Sequence, residues 1–126
     1  FMTEEMWNEI QASNIERPQA QAFFSIQARN LVRLSAIGMP IVLGTDGNTF
    51  WASHIEMEDM VAAGMTAADV LVAATGRAAE LLGLDQLGTI EAGKRADFIV
   101  LDANPLVDIT HTRRIVDVYL RGDRLL

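Results

Sequence analysis

The stretch Pro40-Ile41-Val42-Leu43-Gly44-Thr45-Asp46-Gly47 constrains this chain more than any other. Apolar and β-forming residues run without interruption into a Gly-Thr-Asp-Gly turn. That pattern predicts a strand over Pro40–Thr45, buried on both faces, whose end delivers one carboxylate, Asp46, into a loop. Pro40 stands at the first strand position, where a missing N–H is tolerable. The carboxyl ends of strands are where α/β folds place their chemistry. A lone aspartate between glycines is by default a turn former, so the rest of the chain must decide its role. No second strand of this kind exists in the sequence. A single buried strand leaves N–H and C=O groups unpaired along both edges, at roughly 1–3 kcal/mol per buried group. The strands expected near the C-terminus are too few for an independent sandwich. The sequence therefore implies that other polypeptide completes the sheet, either upstream sequence or another chain.

Composition narrows the setting. The chain has 126 residues, half apolar and 21% charged, which suits one globular domain and excludes disorder. No apolar run approaches the roughly 18–20 residues of a membrane helix. The start, Phe1 to Glu5, is acidic and lacks a basic n-region, so no signal peptide is expected. Cysteine is absent, which excludes a disulfide framework and a thiolate metal site and fits a cytoplasmic location. The net charge of −7 repels phosphate backbones, so nucleic acid is not an expected partner. There are two histidines, His54 and His111, so a multi-histidine metal centre cannot come from this chain alone.

Along the chain, Thr3 with Glu4 and Glu5 predicts a helix to about Ser13, with Met6, Trp7 and Ile10 on one side. Pro18 opens a second helix. Phe24, Ala28, Leu31 and Ser35 line its core face, Phe23, Gln27 and Leu34 lie beside them, and Gly38 ends it. After the strand, Phe50 and Trp51 sit in a Gly/Asn loop, where they either pack beneath it or line a pocket. Ser53-His54-Ile55-Glu56 reads as a capping box, with Ser53 as N-cap and Glu56 reaching back to it. His54 then becomes the first helical residue, pointing toward the loop of Asp46. Gly64 closes this helix. Thr66 to Asp69 forms a second cap, Thr75-Gly76 a break, and Arg77 to Leu82 a further short helix ended by Gly83. Methionines 57, 60 and 65 at helical spacing read as core fillers. Beyond Leu84 the period changes. Glycines punctuate Gly88 to Arg95, Ala96 to Asp102 reads as a strand, Asn104-Pro105 as a turn, and Ile115 to Leu120 as a strand. Gly122-Asp123 reads as a hairpin turn into a returning strand at Arg124–Leu126.

Three stretches together resemble the C-terminal third of amidohydrolase-superfamily enzymes, within them the imidazolonepropionase and prolidase-like hydrolases of C–N bonds. They are Gly38 to Asp46, His54-Ile55-Glu56 on through Gly83, and Gly88-Thr89-Ile90-Glu91-Ala92-Gly93-Lys94-Arg95-Ala96-Asp97 on through Gly122. The Gly-x-Ile-x-x-Gly-Lys-x-Ala-Asp pattern is the most specific of them. The resemblance implies an α/β fold: the C-terminal fragment of a (β/α)8 TIM barrel plus strands of a small β-sandwich domain. Residues 1–87 would be the last helices and strand of the barrel, and residues 88–126 the sandwich strands. It implies a divalent metal, usually zinc, bound chiefly by histidines of earlier strands. Asp46 would be both a metal ligand and the general base and acid for metal-activated water, and His54 and Trp51 would contact a small-molecule substrate. Lys94 and Asp97 match the pattern but read as turn and strand-start residues.

The histidine pair of the first strand, the bridging lysine or glutamate and the later histidines of that pattern have no counterpart here. The 126 residues alone are therefore expected to be inactive and to bind no zinc tightly. The partner they require is the N-terminal remainder of the enzyme, another copy or another subunit. Two readings compete with the hydrolase: a non-catalytic interaction module that completes its sheets with another chain, and a small doubly wound binding domain. The latter lacks the three-glycine phosphate loop and ranks last.

Overall fold

The computed structural model describes residues 18–46 and 50–125, with side chains from Ser25 onward. The helix expected over Thr3–Ser13, the loop residues Gly47 and Asn48, the side chains of Phe23 and Phe24, and Leu126 lie outside the described residues. Helix α1 runs Pro18–Ala36, α2 Ala52–Ala62, α3 Ala67–Ala74 and α4 Gly76–Leu81. Strand β1 spans Phe98–Leu101, a 3-10 turn Ile109–Arg113, β2 Ile115–Leu120 and β3 Asp123–Arg124.

The helix ends lie where the glycines put them. At the end of α2, Gly64 adopts φ +112°, its N–H donates to the Val61 carbonyl, and the Met65 N–H donates to that of Met60. This paired bond is the Schellman closure, which needs a left-handed residue just past the helix. The same two bonds close α1 at Gly38 and α4 at Gly83. Helix α3 starts on a cap that the sequence shows: the Asp69 N–H donates to Thr66 Oγ1 (3.1 Å), and the Thr66 hydroxyl donates to the Asp69 carboxylate (2.7 Å).

The start of α2 departs from expectation. Its N-cap is Trp51, with no side-chain cap, and the N–H groups of His54 and Ile55 both donate to the Trp51 carbonyl. Ser53 therefore lies inside the first turn, and no Ser53–Glu56 capping box forms. The expected strand Pro40–Thr45 is also corrected. Residues 41–46 belong to no strand of the described residues, and Ile41, Val42 and Leu43 are half-buried rather than enclosed on both faces. The Leu43 N–H donates to the Ala73 carbonyl at 3.1 Å, so this stretch lies against the end of α3.

The core is small. Met57, Met60, Met65, Val70, Ala73 and Ile109 are its buried members, with Leu31, Ile41 and Leu43 packed against them. The alternation of Ile41 and Leu43 is what extended backbone gives when one side meets a core. Ile109 comes from beyond the expected boundary at residue 87, so the 3-10 turn shares the core of the helices.

The β-rich part is a three-stranded antiparallel sheet, β1-β2-β3, with Phe98 opposite Tyr119 and their rings stacked at 4.6 Å. The hairpin between β2 and β3 turns at Arg121-Gly122, one residue before the expected Gly122-Asp123. Both residues have positive φ, 55° and 88°, as a primed two-residue turn demands. The Asp97 carboxylate holds Arg121 in that unusual conformation by accepting its N–H at 2.6 Å, and it also pairs with Arg95 at 2.9 Å. This gives the Ala-Asp end of the glycine-rich pattern a structural role, as does the Lys94 ammonium on Thr89 Oγ1 at 2.6 Å. An apolar groove of about 640 Å³, lined by residues including Ala78, Leu82, Leu87, Phe98 and Tyr119, separates α4 from the sheet.

Gly88 is fixed by space as well as by φ. A Cβ there would stand 2.6 Å from Ala79 Cβ and 2.9 Å from the Thr75 carbonyl oxygen, at φ +86°. Gly93 has a similar φ, +90°, and open surroundings. In urea denaturation, Gly88→Ala should lower stability by about 3 kcal/mol, the sum of overpacking and left-handed strain, and Gly93→Ala by about 1–2 kcal/mol. Equal losses would contradict the packing argument.

Candidate functional site

Helix α2 carries chemistry on two of its three faces, because its sequence places polar residues at helical spacing around a methionine stripe. Met57 and Met60 point into the core. Three- and four-residue spacings share a face, which pairs His54 with Glu58 on one side and Glu56 with Asp59 on the other.

The His54 face meets the 3-10 turn. His54 Nδ1 lies 3.1 Å from Thr112 Oγ1, and Thr112 is buried at 3% exposure. The Thr112 hydroxyl donates to the Ile109 carbonyl at 2.9 Å. One turn along α2, Glu58 accepts from Arg113 Nε at 2.6 Å, with both side chains about three-quarters buried at 22% and 27% exposure. Burial first, then the Arg113 charge, lowers the His54 pKa below the ordinary imidazole value, and Glu58 partly opposes them. His54 was expected to face the loop of Asp46; its Nδ1 edge is turned to Thr112, fifty-eight residues downstream.

The Glu56 face looks toward α1 across a groove of about 490 Å³, lined by residues including Gln27, Leu31, Leu34, Glu56 and Asp59. Burial and the neighbouring Asp59 and Asp46 carboxylates raise the Glu56 pKa, in that order. Burial and Glu58 raise that of Asp59. Glu56 is thus a half-buried carboxylate close enough to Asp46 to feel its charge, and its capping role falls with the capping box. Asp46 itself is exposed, at the end of the extended stretch 41–46.

Trp51, the other expected substrate contact, is half-buried at the start of α2, three residues before His54. Its ring meets that of the exposed Phe50 edge-on, centroids 4.2 Å apart. His111 sits in the 3-10 turn with Nδ1 2.9 Å from the Asn104 carbonyl, a turn-stabilising contact. Thr112, Glu58, Arg113 and Asp59 were not singled out in the sequence. Their partners lie more than fifty residues away or belong to a groove between helices, and no local motif marks either. Among the described residues, no three His, Cys, Asp or Glu side chains converge as a metal site. None of the described helices is long and apolar enough to cross a membrane.

The profile of the amidohydrolase family matches residues 7–125. The chain belongs to the amidohydrolase family. Among amidohydrolase-related proteins, imidazolonepropionase of Deinococcus radiodurans is 39% identical over 64 residues, covering 48% of this chain and 16% of that protein. Imidazolonepropionase of Deinococcus deserti is 32% identical over 102 residues, covering 74% of this chain and 25% of that protein. A solved Xaa-Pro dipeptidase with methionine bound in its active site superposes with a TM-score of 0.72 at 32% identity, over 77% of this chain and 25% of that one. The chain thus spans a quarter or less of the length of these relatives. The family is one of TIM barrels, and the described residues are mixed helix and strand with a small antiparallel sheet.

The two faces of α2 respond to pH in opposite directions. The lowered His54 pKa contributes stability that is present above about pH 6.5 and lost as pH falls. The raised pKa of Glu56 works the other way: it contributes stability below the ordinary glutamate value, about 4.3, that is lost as pH rises through the folded-state pKa. Glu56→Gln should therefore raise the denaturation midpoint at pH 7, and the gain should vanish below about pH 4. A midpoint lowered at pH 7 would show that the Glu56 carboxylate is stabilised by its surroundings instead.

Proposed function

We propose that this chain is the C-terminal part of a metal-dependent hydrolase of carbon–nitrogen bonds, with residues 1–87 belonging to its barrel and 88–126 to a small β-sandwich. Family membership over residues 7–125 carries the reading, since it spans both the segment ending in Asp46 and the glycine-rich pattern. It also favours a hydrolase over an interaction module. The relatives are named for imidazolonepropionase and Xaa-Pro dipeptidase activity. The substrate class proposed here is accordingly an amide, cyclic amide or peptide-like small molecule.

Members of the superfamily generally use a divalent metal. The described residues do not form a complete site for one, so Asp46 would be a single ligand among others supplied from outside them, and zinc is the metal proposed. The role of this chain's residues is acid–base chemistry and substrate contact. The Asp46 carboxylate, at the end of the extended stretch 41–46, takes a proton from the attacking water and passes it to the leaving nitrogen. Trp51 and His54, one turn apart at the start of α2, contact the substrate. The preceding polypeptide, or another copy or subunit, completes the sheets.

In the complete enzyme, Asp46→Asn should lower kcat on an imidazolone or an Xaa-Pro dipeptide by about 10²–10⁴-fold while leaving the thermal midpoint nearly unchanged. A loss of only a few fold would overturn the assignment of Asp46. The isolated 126 residues should show no turnover and no stoichiometric zinc by elemental analysis, and either one would overturn the division of labour.

A further inference from the structure

We infer that Thr112 is a positioning residue for His54: its buried hydroxyl fixes the ring as the Nδ1–H tautomer and leaves Nε2 as a pure acceptor. A hydroxyl has one proton and two lone pairs. The Thr112 proton goes to the Ile109 carbonyl at 2.9 Å. Toward His54 Nδ1, 3.1 Å away, Thr112 Oγ1 can then only accept. Two lone pairs cannot face each other across that distance, so Nδ1 carries the proton. Thr112 is 3% exposed, so no water competes for its oxygen. The Arg113 guanidinium, held on Glu58 at 2.6 Å beside the ring, discourages a second proton on it. Among the described residues, none makes a hydrogen bond to Nε2.

The consequence concerns specificity, and it rests on the reading that His54 faces substrate. A neutral Nδ1–H imidazole presents a lone pair at Nε2. It accepts from an amide N–H or a protonated amine and gives nothing to a carbonyl or carboxylate oxygen. His54 would therefore select the N–H-bearing side of a C–N substrate. The residue that sets this choice lies fifty-eight positions away, on the 3-10 turn between β1 and β2.

The test is long-range ¹H–¹⁵N NMR of the histidine rings in the full 126-residue chain, at about pH 8, where free imidazole is neutral. The wild type should show a protonated Nδ1 and an unprotonated Nε2 at His54. Thr112→Ser should keep that pattern, and Thr112→Val, which cannot accept, should move the proton to Nε2. His111, whose Nδ1 faces the Asn104 carbonyl, should stay Nδ1–H throughout and so reports folding. An Nε2–H ring in the wild type, or an unchanged ring in folded Thr112→Val, overturns the proposal. If Thr112→Val loses the His111 signature through unfolding, the wild-type and Thr112→Ser spectra decide it. In the complete enzyme, Thr112→Val should raise KM about tenfold with kcat nearly unchanged, the loss of one hydrogen bond. A switched tautomer with an unchanged KM would overturn the substrate contact of His54 and uphold its positioning by Thr112.

Discussion

Backbone hydrogen bonding along residues 41–46 sets the terms for everything around it. These residues are extended, and Ile41 and Leu43 pack on the helical core. Within 41–44, the Leu43 amide is the one that finds a backbone partner among the described residues. Extended apolar backbone with open edges is costly to bury and invites pairing with further strands. Residues 41–43 are therefore half-buried here, held by their side chains and by the bond from Leu43 to the end of α3. The far end of the stretch carries Asp46 out to the surface. In the proposed complete hydrolase, neighbouring strands satisfy the same groups and Asp46 gains its setting from them.

A second constraint ties the β-rich part to the helices. Ile109 joins the methionine core, Arg113 bonds Glu58, and Thr112 Oγ1 lies within hydrogen-bond distance of His54 Nδ1. These three contacts come from one short turn and land on one helix, α2. They place a histidine with its Nδ1 edge fixed on one side of that helix, while the carboxylates Glu56 and Asp59 crowd the other. Burial disfavours the charged form on both sides. Thus protonation of His54 and ionisation of the two acids are both disfavoured.

What the sequence made legible follows from how local each signal is. Helix closures at Gly38, Gly64 and Gly83, the Thr66–Asp69 cap and the Asn104 turn depend on three to six adjacent residues, and all were readable. The Ser53–Glu56 cap was equally well formed as a motif, but the first turn of α2 closes on the Trp51 carbonyl two residues earlier. The β2–β3 turn was displaced by one residue, because Asp97, twenty-four positions away, accepts the Arg121 N–H and makes a left-handed arginine tolerable. The strand at Pro40–Thr45 is predicted from a local apolar run ending in a turn, and a local pattern cannot supply a pairing partner. Of the site, motifs mark Asp46 and His54, and a place in a Gly/Asn loop marks Trp51. Thr112 and Arg113, which decide how His54 is presented, enter only through long-range packing.

Among the described residues, 41–44 leave backbone edge groups open, and in the proposed complete enzyme neighbouring strands close them. Amide hydrogen exchange at single-residue resolution tests this directly. In the 126-residue chain, the Leu43 amide should exchange much more slowly than those of Ile41, Val42 and Gly44, and in the complete enzyme at least two of those three should slow as well. Uniform strong protection of Ile41 to Gly44 in the 126 residues alone would contradict the account, because it would mean that the chain already pairs this stretch by itself.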